Sequence, residues 1–166
     1  MNINQLNEDI STWAKKYGLR TICLTDKAIS FHLDAYSCYK QKAGTCSLDF
    51  DEDKAEKISV NESRETFYRK VMFCRDLFKA MQRSDNFHSI FLAAGDEPYL
   101  EKMSCGHYHC NGQHRICVAK HKGILFPFQP QSLKENKYKN CSYCMREDGW
   151  WLLPPEGNKA IFTKLC

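Results

Sequence analysis

The 166-residue chain has no apolar run approaching the ~18 residues of a membrane-spanning helix, so no membrane partner is expected. It does not open as a secretory signal does. Asn2, Asn4, Gln5, Asn7, Glu8 and Asp9 stand where a basic start and an apolar segment would be needed. A cytoplasmic or nuclear protein is expected, and a secreted one is not. Internal repeats and low-complexity segments are absent. So is a phosphate-cradling loop, since Gly44, Gly95 and Gly106 are isolated glycines. Neither H-E-x-x-H nor H-x-E with P-C-x-x-C occurs, which removes the usual signatures of a catalytic zinc. Charge of one sign is also in short supply. The formal net charge of +4 and the pI near 8.5 suit a polyanion partner but fall short of the pI above ~9 of a dedicated nucleic-acid domain.

What the chain does have is 43% hydrophobic and 13% aromatic residues, enough for a packed core. Its length suits one domain, or one modest domain with a metal-held lobe. It also has ten cysteines. In a reducing compartment these point to metal binding or catalysis more than to a disulfide framework.

Residues 3–17 place Leu6, Ile10, Trp13, Ala14 and Tyr17 on one face of a helix that Gly18 closes. Residues 21–25 and 28–36 alternate as strands, with Asp26-Lys27 as a tight turn between them, and residues 47–50 suggest a third strand. Asp51 to Lys54 read as the start of a charged connector. Asn61 or Ser63 then caps a second helix, with Phe67, Val71, Cys74, Leu77, Phe78 and Met81 on one face. Phe87 to Ala94 reads as a short buried strand. This order predicts an α+β fold, two helices on a small antiparallel sheet, over residues 1–98.

From Tyr99 the helical period fades, and six of the ten cysteines and four of the six histidines follow. Strand-like runs at 115–119, 123–128, 150–153 and 160–165 alternate with Gly, Pro and Asn. Residues 99–166 are therefore expected to form a zinc-ribbon-like β lobe. Cys141-x2-Cys144 has the spacing at which one tight turn delivers two thiolates to one ion. The segment Cys105-Gly106-His107-Tyr108-His109-Cys110 supplies the other ligands, and a hairpin near Lys122-Gly123 would join the clusters. The expected set is Cys105, Cys110, Cys141 and Cys144 around a structural Zn2+, with His107 or His109 able to replace one of the first pair. His114 and Cys117 could contribute to a second site. Cys23, Cys38, Cys46 and Cys74 sit singly among apolar residues and read as small core residues.

Three functions compete. The first is a non-enzymatic regulator acting on single-stranded nucleic acid, RNA or a nucleic-acid-processing complex. Its cations for phosphates and rings for unstacked bases would be Arg115, Lys120, Lys122, Lys137, Lys139, Tyr143 and Arg146. The second is a protein-binding adaptor or inhibitor anchored by Trp150 and Trp151, although the run to Pro155 also suits a buried strand. The third is an enzyme. Histidines 107, 109, 114 and 121 ahead of Asn140-Cys141 resemble the His-then-Asn-Cys order of the NlpC/P60-like acyltransferases and hydrolases. That likeness implies Cys141 as nucleophile, activated by a histidine on a strand. The helix such enzymes place after the cysteine is interrupted here by Gly149. Finally, Cys105-Gly106-x-x-His109 resembles the CG-x-x-H element of cysteine-rich silencing-suppressor proteins of plant RNA viruses, which implies a compact viral or accessory regulator, such as a phage factor. The first reading is the one the sequence favours, with no enzymatic activity and no small-molecule substrate expected.

Overall fold

A computed structural model describes residues 2–92, 97–145 and 150–153, the last four by their backbone. Helix α1 (Ile3–Lys16) forms where the periodicity predicts it. Asn2 caps it by accepting from the Asn4 N–H at 3.0 Å, and Leu6, Ile10 and Ala14 are buried. Trp13 on the same helix packs against Phe87 and Phe91.

Strands β1 (Arg20–Ile22) and β2 (Ile29–His32) also form, but not as a hairpin. β2 lies parallel to β4 (Tyr108–Asn111), and β1 pairs antiparallel with β5 (Phe126–Phe128). Residues 23–28 between β1 and β2 are too many for a tight two-residue turn. Lys120 holds this loop inward by donating to the carbonyls of Leu24 (2.9 Å) and Thr25 (3.1 Å).

Helix α2 (Tyr39–Ala43) leads into residues 47–49, where a 3-10 turn replaces the predicted strand. The charged segment after it is helix α3 (Glu52–Ser59), capped by Asp51, which accepts from the Lys54 N–H at 2.7 Å. An N-cap aspartate followed by two acids is a helix-start signal that outweighs the lack of an apolar period. The next helix, α4 (Val71–Met81), starts later than Asn61 or Ser63 would imply. Its first N–H, that of Val71, is satisfied from a distance by the buried Glu62 carboxylate at 2.8 Å.

Two further strand expectations give way to helices. The apolar run from Phe87 forms α5 (Phe87–Phe91), which buries Phe87, Ile90 and Phe91 at helical spacing. Ala93 and Ala94 lie outside the described residues. Residues 115–119 belong to α6 (Gln113–Lys122), in which Ile116, Val118, Ala119, Lys120 and His121 are all buried. A helix surrounded by core on most sides has no polar face, so its 3.6-residue period is hidden in the sequence.

Strands β3 (Tyr99–Lys102), β6 (Leu133–Glu135) and β7 (Trp150–Leu153) complete a five-stranded sheet of order β6-β3-β4-β2-β7. It is mixed: β3/β4 and β2/β7 run antiparallel, β2/β4 and β3/β6 parallel. The protein is thus α+β, with six α-helices among the described residues and two small sheets. Residues from Leu6 to Phe128 join one apolar core, so the segments expected as two units share both this core and the larger sheet. No described helix is long and apolar enough to cross a membrane.

Candidate metal centre

The β3–β4 hairpin positions the first two ligand residues. Met103 donates to the His107 carbonyl at 2.8 Å, and Gly106 donates back to the Met103 carbonyl at 2.9 Å. This leaves a three-residue loop, Ser104 to Gly106, whose last residue has φ of +82°. Left-handed backbone at that position is typical of three-residue hairpins, and glycine adopts it without Cβ strain. Cys105 thus sits at the tip of the hairpin and His107 at its shoulder.

The loop after β6 brings the other pair. Asn136 donates to the Lys102 carbonyl at 2.7 Å, and its side chain accepts from the N–H groups of Tyr138 (3.1 Å) and Lys139 (3.0 Å). Ser104 ties the loop down twice, donating its N–H to the Lys139 carbonyl at 3.0 Å and its hydroxyl to Asn140 Oδ1 at 2.8 Å. Cys141 then donates its N–H to Cys105 Sγ at 3.4 Å, and Cys144 donates its own to Cys141 Sγ at 3.5 Å. Met145 closes the turn on the Cys141 carbonyl at 3.0 Å.

These two turns bring together Cys105, His107, Cys141 and Cys144, whose ligand atoms all lie within 4.8 Å of one another. His107 Nδ1 is 3.3 Å from both Cys141 Sγ and Cys144 Sγ. Burial raises the Cys105 thiol, but N–H donors from Cys141 and His107 and the neighbouring thiols outweigh it, so the thiol titrates below its ordinary value. Cys144 goes the other way. Burial, then hydrogen bonding and repulsion from Cys141 and Cys105, push it up to about 12. Several thiolates cannot share this space unless a cation offsets their charge, and three sulfurs with one imidazole nitrogen form a donor set that fits a soft or borderline metal ion.

Of the ligands predicted from sequence, Cys105, Cys141 and Cys144 meet here, and His107, named as an alternate, takes the place expected of Cys110. Cys110 is opposite Leu100 in the β3–β4 register and 1% exposed, in the apolar core. It lies three strand residues beyond His107, roughly 10 Å away. Burial raises its thiol well above the ordinary range. His109 points to the other face of β4 and meets Tyr99 Oη at 3.3 Å. His114 is in α6, stacked on Tyr68 with ring centroids 5.4 Å apart. Cys117 is a half-buried residue of the same helix, packed against the apolar core, and desolvation raises its thiol well above the ordinary value. A second, three-residue group, Cys46, Asp49 and His121, also has its ligand atoms within 4.8 Å. There His121 Nε2 lies 2.7 Å from Asp49 Oδ1, a hydrogen-bond distance. Sequence reasoning had passed over it, because Cys46 reads as a core residue and no spacing rule links it to a histidine 75 positions on.

The cations predicted for nucleic acid are dispersed. Lys120 is 3% exposed and bound to backbone carbonyls. Lys122 donates to the Leu48 carbonyl at 2.8 Å, and Arg115 to that of Ile90 at 2.9 Å. Lys137 and Lys139 are exposed on the loop that carries Cys141, and Tyr143 meets the His107 ring edge-on at 6.0 Å. Arg146 and the side chains of Trp150 and Trp151 lie outside the described residues; the backbone of both tryptophans belongs to β7, paired with β2. No family model, no curated protein and no solved structure matches this chain.

Proposed function

We propose that Cys105, His107, Cys141 and Cys144 hold a structural zinc ion, and that the loop this ion pins, residues 136–145, is a contact surface for single-stranded nucleic acid. Tetrahedral zinc with Zn–S of ~2.3 Å and Zn–N of ~2.0 Å has S–N edges of about 3.5 Å. The two 3.3 Å spacings at His107 lie within a few tenths of an ångström of that edge. Four protein ligands leave no open position, so the ion's role is to hold backbone in place.

The observation that carries the binding role is Tyr138, which is 98% exposed between the exposed Lys137 and Lys139. A ring held in water by a pinned loop, with a cation on either side, suits an unstacked base flanked by phosphates. The loop is expected to bind single strands in a salt-dependent way. Replacing both Lys137 and Lys139 with alanine should weaken binding and flatten the dependence of log K on log salt by about 1.4. A variant with unchanged affinity and slope would remove the loop from the interface.

A second reading takes Cys141 as a nucleophile with His107 as its base, and their 3.3 Å contact favours it. Against it stand the 1% exposure of Cys141 and the equal distance of His107 from Cys144. Thiol-reactive probes separate the two: metal-loaded protein should resist labelling at Cys141, whereas rapid single-site labelling would support the enzyme.

A further inference from the structure

Cys46, Asp49 and His121 share no residue with the Cys105 centre, and the elements that gather them are firmly held. The Asp49 N–H donates to the Cys46 carbonyl at 3.1 Å, which closes the 3-10 turn 47–49 on its N-cap. Residues three apart on such a turn are nearly eclipsed, so the thiol and the carboxylate stand on one side of it. His121, in the last turn of α6, meets them there. Two helices brace the turn. Lys122 of α6 donates to the Leu48 carbonyl at 2.8 Å, and Arg75 of α4 donates to the Ser47 and Phe50 carbonyls at 3.0 and 2.6 Å. The three donors are thus positioned by packed elements, the support a binding site needs.

Cys46 Sγ, a carboxylate oxygen of Asp49 and an imidazole nitrogen of His121 lie within 4.8 Å of one another. Around a tetrahedral zinc ion the corresponding edges are about 3.3–3.6 Å, which shifts of roughly 1 Å would reach. Sulfur, nitrogen and oxygen together suit a borderline divalent ion. One thiolate and one carboxylate also offset both charges of such an ion. A neutral complex fits this place, because Cys46 and His121 are buried and Lys40 and Lys122 lie near enough to act on the imidazole. Access comes from Asp49, whose side chain is 53% exposed. Three protein donors leave a fourth position for water, unlike the four that close the Cys105 centre.

We propose that Cys46, Asp49 and His121 form a second metal site, which takes an exchangeable divalent ion of the Zn2+ or Co2+ type with water in the fourth position. As the ion binds, the Cys46 thiol releases its proton to solvent and the thiolate forms the metal–sulfur bond. With one thiolate in place of three, this site holds its ion less tightly than the Cys105 centre. It stands independently of the function proposed for that centre.

The test adds Co2+ to the full-length, zinc-loaded protein and follows the His121 ring by NMR during a Zn2+ titration. Co2+ is expected to give a thiolate-to-cobalt charge-transfer band, and Zn2+ to shift the His121 ring signals. The ring shifts should persist in Cys141→Ser, which breaks the Cys105 centre, and disappear in Cys46→Ser. Asp49→Asn changes an exposed group and should weaken Co2+ binding by more than about tenfold, since even outer-shell changes at metal sites cost 10–100-fold. Circular dichroism checks that each variant is folded; if Cys46→Ser is not, Asp49→Asn decides. Unshifted His121 signals in the wild type, or unchanged Co2+ affinity in folded Asp49→Asn, would overturn this site whatever happens at Cys105. His121 shifts in a protein whose zinc content is untouched by Cys141→Ser would keep this site and overturn the other.

Discussion

His114 packs between Tyr68 and Cys74, and burial, opposed by a hydrogen bond involving the Ser37 backbone, brings its pKa down to about 4. In the unfolded chain it titrates near 6.5. Between those values the unfolded state binds the proton and the folded state does not, so stability falls as pH drops from about 6.5 to about 4. The loss attributable to this residue is on the order of 3 kcal/mol, complete below the folded pKa. Denaturant titrations at pH 7 and pH 5 should show a smaller acid loss for His114→Phe than for the wild type. His109 and His121 are also lowered by burial and will leave a residual slope in the variant. The cysteines divide in the same residue-by-residue way. Cys141→Ser or Cys144→Ser should lower zinc content per chain, measured by atomic absorption, whereas Cys110→Ala should leave it unchanged and cost packing alone. Retention of full zinc by both serine variants would dismiss the site. The C-x2-C spacing made Cys141 and Cys144 legible in sequence. The choice between His107 and Cys110 was not legible, because it depends on which of two residues three apart lies at the hairpin shoulder.

At the scale of elements, local signals and burial compete. α1 was readable because one face is apolar and the other wet. α3 carried its signal in Asp51 and the acids behind it, not in apolar spacing. Asp51→Ala should therefore destabilise the protein by about 1 kcal/mol, seen as a lower denaturation midpoint with an unchanged slope. A change below experimental error would mean that packing alone holds α3. α5 and α6 went unread as helices for the opposite reason. Their residues are buried around most of the helix, and a short apolar run fits a strand equally well until its neighbours are known. The β1–β2 hairpin failed in a third way: both strands formed, but each found its partner far along the chain.

Across the whole molecule, the candidate metal centre hangs from a core it does not build. The core runs from Leu6 to Phe128, and its largest buried rings, Phe31, Phe87, Phe91, Phe126 and Phe128, all lie outside the two ligand turns. Chelation should thus accelerate amide exchange in residues 103–107 and 136–145 while α1 and β5 remain protected. Global loss of protection on chelation would instead show that the ion is required for the core.

By itself the sequence determined that the protein mixes helices and strands, that its candidate ligand residues cluster in the C-terminal part, and that Cys105, Cys141 and Cys144 belong to one group. These follow from short-range spacing, which the backbone converts directly into geometry. Only the tertiary structure decided that His107 is the fourth member, that Lys120 is an internal tether, and that Cys46, Asp49 and His121 lie together. Each of these depends on contacts between residues far apart in the chain, set by which apolar faces bury one another.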